Sequence, residues 1–120
     1  MQELEGKTFA SLKAEGEKLW EGQLSKFKIE ATPEQRETFY TSVYHAFLHP
    51  FIFQDADGKF RELDKNIGQA EGFTNYTVFS LWDTYRALHP LFNLVQRDIN
   101  ADIVNSMLAH YDKSVEHMLP

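Results

Sequence analysis

Between Tyr76 and Leu88, apolar side chains run nearly all the way round a helical wheel. Val78, Phe79, Leu81, Trp82, Tyr85 and Leu88 leave no continuous polar face. A helix apolar on all sides has to be buried on all sides, so the segment demands neighbours on more than one face. With Thr74 or Asn75 as cap, it predicts a helix over about 76–88, broken by Pro90. Leu91 to Gln96 read as a further turn or two.

The remaining apolar pattern is helical too. Phe9, Leu12, Leu19, Trp20, Leu24 and Phe27 recur at helical spacing and predict a first helix over about 8–27. Gly16 and Gly22 weaken it by about 1 kcal/mol each relative to Ala. The second helix has the clearest start signal. Thr32 suits the cap, Pro33 the first helical position, and Gln35 completes a capping box. Phe39, Tyr40, Val43, Tyr44 and Phe47 form its apolar face, and Pro50 stops it. The last helix is expected from about Asn100 to Met118. Its stripe is Ile103, Val104, Met107, Leu108, Tyr111, Val115 and Met118.

The middle of the chain reads differently. Phe51-Ile52-Phe53 and Phe60 flank a strong turn signal, Asp57-Gly58, which predicts a short hairpin. Residues 61–75 then read as a long loop, a kind of segment that often carries function. The fold class expected is all-α: about four helices with one short β-hairpin. The 120 residues form a single segment, one domain's worth at most. Leu48-His49-Pro50 and Leu88-His89-Pro90, with Phe39 and Phe79, echo one another at a spacing of 40, which suggests a repeated helix hairpin.

Charge and composition exclude several classes. The formal charge is −6, with Lys and Arg dispersed, so no basic patch offers itself to nucleic acid. No apolar run approaches the roughly 20 residues needed to cross a bilayer. The acidic start, Met1 to Glu5, carries no apolar core of a signal peptide. The absence of cysteine removes disulfides and thiolate-bound metals.

Metal-binding patterns also fall short. If Gly58 is set sixth in an EF-hand loop, Phe53 stands first, where a ligand is required, so Asp55 to Gly58 read as a turn. His45 and His49 share a helix face, but Ala46 stands where a zincin has Glu, and no third ligand is near. His110 and His117, beside Asp112 and Glu116, read as a solvated face.

Trp82-Asp83 is the most informative pair. A carboxylate on an otherwise apolar helix costs free energy unless it is paired or hydrogen-bonded. One reading gives it an ion pair with Arg86, three residues on, worth a few tenths of a kcal/mol on an exposed face. Alternatively, it sits at the rim of an aromatic pocket and accepts hydroxyl protons from a polar ligand, with a Trp face stacked on a sugar ring. The residues leave both open.

The run Phe73-Thr-Asn-Tyr-Thr-Val-Phe-Ser-Leu-Trp-Asp-Thr-Tyr-Arg-Ala-Leu-His-Pro-Leu91 resembles family 92 glycoside hydrolases. So, in the same order, do Phe39 to Pro50, Asp55 to Phe60 and Asn105 to Tyr111. The resemblance covers most of the chain from about residue 33. These relatives are calcium-dependent exo-acting α-mannosidases, usually periplasmic or secreted. The family implies an (α/α)6 barrel and hydrolysis of terminal α-mannose from glycans with inversion, by a Glu acid and an Asp base. It places Trp82 and Asp83 in the pocket for the terminal mannose. Twelve helices of about 11 residues need roughly 130 residues before any loop, so the chain resembles part of one barrel. The family's acid, base and most of its calcium site fall beyond Pro120, which leaves no catalytic or metal residue here and an inactive segment on its own. The expected partners are a mannose-containing glycan and either the rest of the catalytic domain or further copies of the chain. The alternative is a free-standing helical module that binds a carbohydrate or protein partner without catalysis.

Overall fold

The structure is a computed structural model that describes residues 4–77, 79–114 and 117. It falls into two compact units that divide after His45.

In the first unit, helix α1 spans Phe9–Leu24. Its start is a capping box: the Ser11 N–H donates to Thr8 Oγ1 at 3.2 Å, and the Thr8 N–H to Ser11 Oγ at 2.9 Å. Helix α2 spans Pro33–Ala46. The box expected at its start forms: the Gln35 N–H donates to Thr32 Oγ1 at 3.3 Å and the Thr32 N–H to Gln35 Oε1 at 3.1 Å. Each box satisfies two N–H groups that a helix start leaves without intrahelical partners. Aromatic contacts join the two helices. The rings of Trp20 and Tyr44 lie 4.5 Å apart, those of Phe27 and Phe39 5.8 Å, and the Tyr40 hydroxyl donates to the Phe27 carbonyl at 2.8 Å. Both helices end earlier than the apolar pattern predicts.

The second unit opens with strand β1, Phe51–Ile52. Strands β2, Lys59–Arg61, and β3, Ile67–Gln69, pair antiparallel, with Phe60 opposite Gly68. Strand β4, Tyr76–Thr77, pairs antiparallel with β1, Phe51 facing Thr77 and Ile52 facing Tyr76. Helices α3, α4 and α5 follow, at Leu81–Thr84, Leu88–Val95 and Arg97–Lys113. Among the described residues the chain is mostly helical, with two short strand pairs.

Several expectations are corrected here. The Asp57-Gly58 turn forms, with Gly58 at φ +80° and its N–H donating to the Asp55 carbonyl at 2.9 Å. It does not join 51–53 to Phe60, because β1 takes β4 as its partner and β2 takes β3, inside the supposed loop. The helix expected over 76–88 is not formed as one element. Tyr76 and Thr77 are strand, and only Leu81–Thr84 winds into α3. Pairing with a distant strand outweighs local periodicity in such a segment. The 40-residue echo is not a repeated hairpin either: Phe39 lies within α2 and Phe79 outside any helix. Pro90 opens α4 as its third residue instead of breaking a helix, because first-turn N–H groups have no intrahelical partner to lose. The last helix begins at Arg97, before Asn100. Val115 and Met118, assigned to its stripe, lie outside the described residues.

The core of this unit is Tyr76, Phe92 and Ile103, with Phe47, Phe79, Leu88, Ile99 and Met107 packed against it. The Phe47 and Phe92 rings meet edge-on at 5.7 Å. Helices α4 and α5 turn at Gln96 and are stapled by Asn100 Nδ2 donating to Asn93 Oδ1 at 2.8 Å.

Candidate functional site

Trp82 and Asp83 both lie on α3, a single turn of helix with no buried residue. The polar groups of Ser80 shape this turn. Its carbonyl accepts from the N–H groups of Asp83 and Thr84, each at 3.0 Å, and from the Thr84 hydroxyl at 3.0 Å. Its own hydroxyl donates to Asp83 Oδ2 at 2.6 Å. One carboxylate oxygen is therefore held by the protein. The carboxylate as a whole remains at the surface.

Trp82 is 75 % exposed, so the expectation that this helix is covered on all sides does not hold within the chain. The Arg86 guanidinium stands 5.4 Å from the Trp82 ring centre and 5.1 Å from that of Tyr85. Arg86 is thus turned to the rings, and the Asp83 carboxylate is engaged by Ser80. Of the two alternatives for Asp83, the ion pair is not the one built. An exposed indole with an aligned carboxylate on the next residue combines an apolar ring face with a hydrogen-bond acceptor. Such a pair can take the C–H face of a sugar and one or more of its hydroxyl groups.

Behind the turn lies a cavity of about 200 Å³, lined by His49, Pro50, Phe79, Ser80, Thr84 and His89. Its two histidines come from the two Leu-His-Pro runs, so the echo has a spatial counterpart although it is no repeat. His89 Nδ1 is 3.2 Å from Asn100 Oδ1, and the His49 ring is 5.2 Å from that of Phe51.

His110 departs from expectation. It is buried at 8 % exposure, against the Phe79 ring at 5.6 Å, instead of facing solvent. Burial holds its imidazole below the usual histidine pKa. His117 lies past the end of α5, its Nδ1 3.2 Å from the Tyr111 carbonyl.

Two polar residues of α5 went unnoticed in the sequence. Asp102 accepts the Thr74 N–H at 3.1 Å, and the fully buried Ser106 accepts the Tyr76 N–H at 2.9 Å. A signal was present: Asp102, Ser106 and His110 recur every four residues, alongside the apolar row of Ile99 and Ile103.

Among the described residues, no three His, Asp or Glu side chains converge so as to hold a metal ion. Asp57, a candidate in the loop pattern, instead meets Lys59 Nζ at 2.6 Å. No helix among them is long and apolar enough to cross a membrane.

Comparison with known proteins adds to this geometry. The glycosyl hydrolase family 92 catalytic domain matches residues 1–120. The structure of a family GH92 alpha-mannosidase from Bacteroides thetaiotaomicron superposes with a TM-score of 0.97 at 72% sequence identity, over 99% of this chain and 16% of that one. The same values hold for that enzyme in complex with mannoimidazole. The GH92-family glycosyl hydrolase CcMan5 superposes with a TM-score of 0.85 at 25% identity, over 92% of this chain and 15% of that one. The chain thus spans about one sixth of the length of these solved relatives. No curated protein matches it.

Proposed function

Since its whole length matches the catalytic domain, the chain belongs to glycosyl hydrolase family 92, and we propose that it forms the sugar-contacting part of an enzyme that hydrolyses terminal α-mannose from glycans. Trp82 and Asp83 are the contacts: the indole stacks on the mannose ring, and the carboxylate accepts hydroxyl protons. The observation that carries this is the exposed Trp82 beside an Asp83 whose Oδ2 is already oriented by Ser80 at 2.6 Å. A ligand meeting a carboxylate held in one rotamer loses less side-chain entropy on binding.

Support for the substrate comes from the Bacteroides alpha-mannosidase bound to mannoimidazole, whose matching segment is 72% identical. Hydrolysis with inversion needs two carboxyl groups, one to protonate the leaving oxygen and one to activate water on the opposite face. No residue of this chain is given either role. Asp83 binds, and the acid and base belong to other parts of the catalytic domain. Calcium is part of the family's chemistry, but the described residues do not form a ligand set for it.

The test is an assay of the full-length protein on an α-1,2-linked mannobiose, followed by proton NMR. The expected result is release of mannose that appears first as the β-anomer. A folded full-length protein that releases no mannose from α-mannosides contradicts the proposal.

A further inference from the structure

We infer that Asp102, Ser106 and His110, one row along α5, are positioning residues that set where the Trp82–Asp83 turn stands; this rests on the sugar-contact role proposed above. Helix α3 is too short to fix itself. It has four residues, none of them buried, and an isolated helical turn has no stability of its own. Its place depends on the chain on either side of it: α4 follows and packs into the core, and the segment that leads in is tied to α5.

That chain is held by α5 at three successive points. The Thr74 N–H donates to Asp102 Oδ2 at 3.1 Å. The Tyr76 N–H donates to Ser106 Oγ at 2.9 Å, while the Ser106 hydroxyl in turn donates to the Asp102 carbonyl at 2.8 Å. Phe79, the residue before Ser80, lies with its ring 5.6 Å from that of His110. The three residues are four apart, so each sits about 6 Å further along the helix axis. Residues 74, 76 and 79 advance beside them. Seventeen residues of regular helix thus act as a ruler for a turn that cannot stabilise itself. Tyr76 and Ser106 are both buried, so the middle hold is closed to water at both ends, and His110 is buried at the third.

A contact group moved by about 1 Å can cost around a hundredfold in rate, so loss of one hold is expected to be visible in kinetics. The experiment uses the full-length enzyme with an aryl α-mannoside and compares Ser106→Ala, Asp83→Ala and the double variant. Asp83→Ala is expected to raise KM about tenfold or more. Ser106→Ala is expected to raise KM severalfold with kcat within about twofold, because the acid and base are elsewhere. In the double variant, Ser106→Ala is expected to add less than about twofold, since it acts through a residue already removed. If Ser106→Ala leaves KM unchanged, or if the two effects multiply in full, the positioning role is overturned while the sugar-contact role stands. If Asp83→Ala itself leaves KM unchanged, the sugar-contact role fails and the positioning role with it. Should Ser106→Ala not fold, Asp102→Ala at a half-buried position gives the same comparison on the same terms.

Discussion

The Ser80 hydroxyl donates to Asp83 Oδ2 at 2.6 Å, across three residues that open a single helical turn. This is a variation on a capping box, in which the side chain at the third helical position meets the hydroxyl of the cap instead of its N–H. Both residues are at the surface, so removing the hydroxyl is expected to change folding stability by no more than about 0.5 kcal/mol. Its effect on binding is expected to be larger, because the free carboxylate must then be ordered by the ligand. Ser80→Ala in the full-length enzyme should raise KM severalfold at an unchanged melting temperature, measured by steady-state kinetics and thermal melts. A fall in melting temperature with KM unchanged would assign Ser80 to the fold alone.

Thr32 and Gln35 satisfy each other's backbone N–H groups at the start of α2. Loss of such a cap costs typically about 1 kcal/mol. Thr32→Ala is expected to lower the stability of the first unit by this amount in urea unfolding followed by far-UV circular dichroism. Thr32→Ser should recover most of it.

Gly58 sits at φ +80°, and a Cβ built on it would come within 2.6 Å of Gln69 Nε2. That nitrogen is engaged in a 2.8 Å hydrogen bond to the Asp57 carbonyl. Gly58→Ala therefore meets both backbone strain and a displaced hydrogen bond, with an expected cost of about 1 kcal/mol or more. Gly72, also at positive φ but with open space around its Cβ position, should cost less on the same substitution. Chemical denaturation of the two variants side by side checks the order.

Burial lowers the pKa of His110 in the folded state from its ordinary 6.5. The unfolded chain therefore binds more protons than the native one as pH falls through about 6.5, and stability is lost in that direction. His110→Gln removes the titrating group. The slope of stability between about pH 7 and 5 should be shallower in this variant than in the parent, as read from urea midpoints at each pH. Asp57 and Asp64, held low by hydrogen bonds from Lys59 and Asn66 respectively, act in the same direction but only in the more acidic range near their ordinary 3.8.

How far the fold could be read in advance depended on how local the deciding forces were. The start of α2 was legible because Thr32, Pro33 and Gln35 act within one turn. The Asp57-Gly58 turn was legible for the same reason, since Gly58 meets a backbone requirement that few other residues can. The partner of β1 was not, because Phe51 and Ile52 pair with Thr77 and Tyr76 across a long stretch of chain, and no local pattern records that choice. The same pairing converted Tyr76 and Thr77 from a helical wheel into a strand. Trp82 and Asp83 were singled out because a carboxylate in an aromatic run needs an explanation. Their exposure was missed because periodicity measures how apolar a face is and not what lies against it. His110 reads as part of a solvated face, and Ser106 draws no notice, because polar residues on a helix usually face water. Here they face the segment that leads to the turn.

Whether Asp83 receives the sugar is decided by a calorimetric titration of mannoimidazole into the full-length protein and its Asp83→Ala variant. Charge-assisted hydrogen bonds contribute about 1.5–3 kcal/mol each, so affinity should fall by about tenfold to a hundredfold or more, with the melting temperature unchanged. Equal affinity in the two proteins would rule out a sugar contact at Asp83.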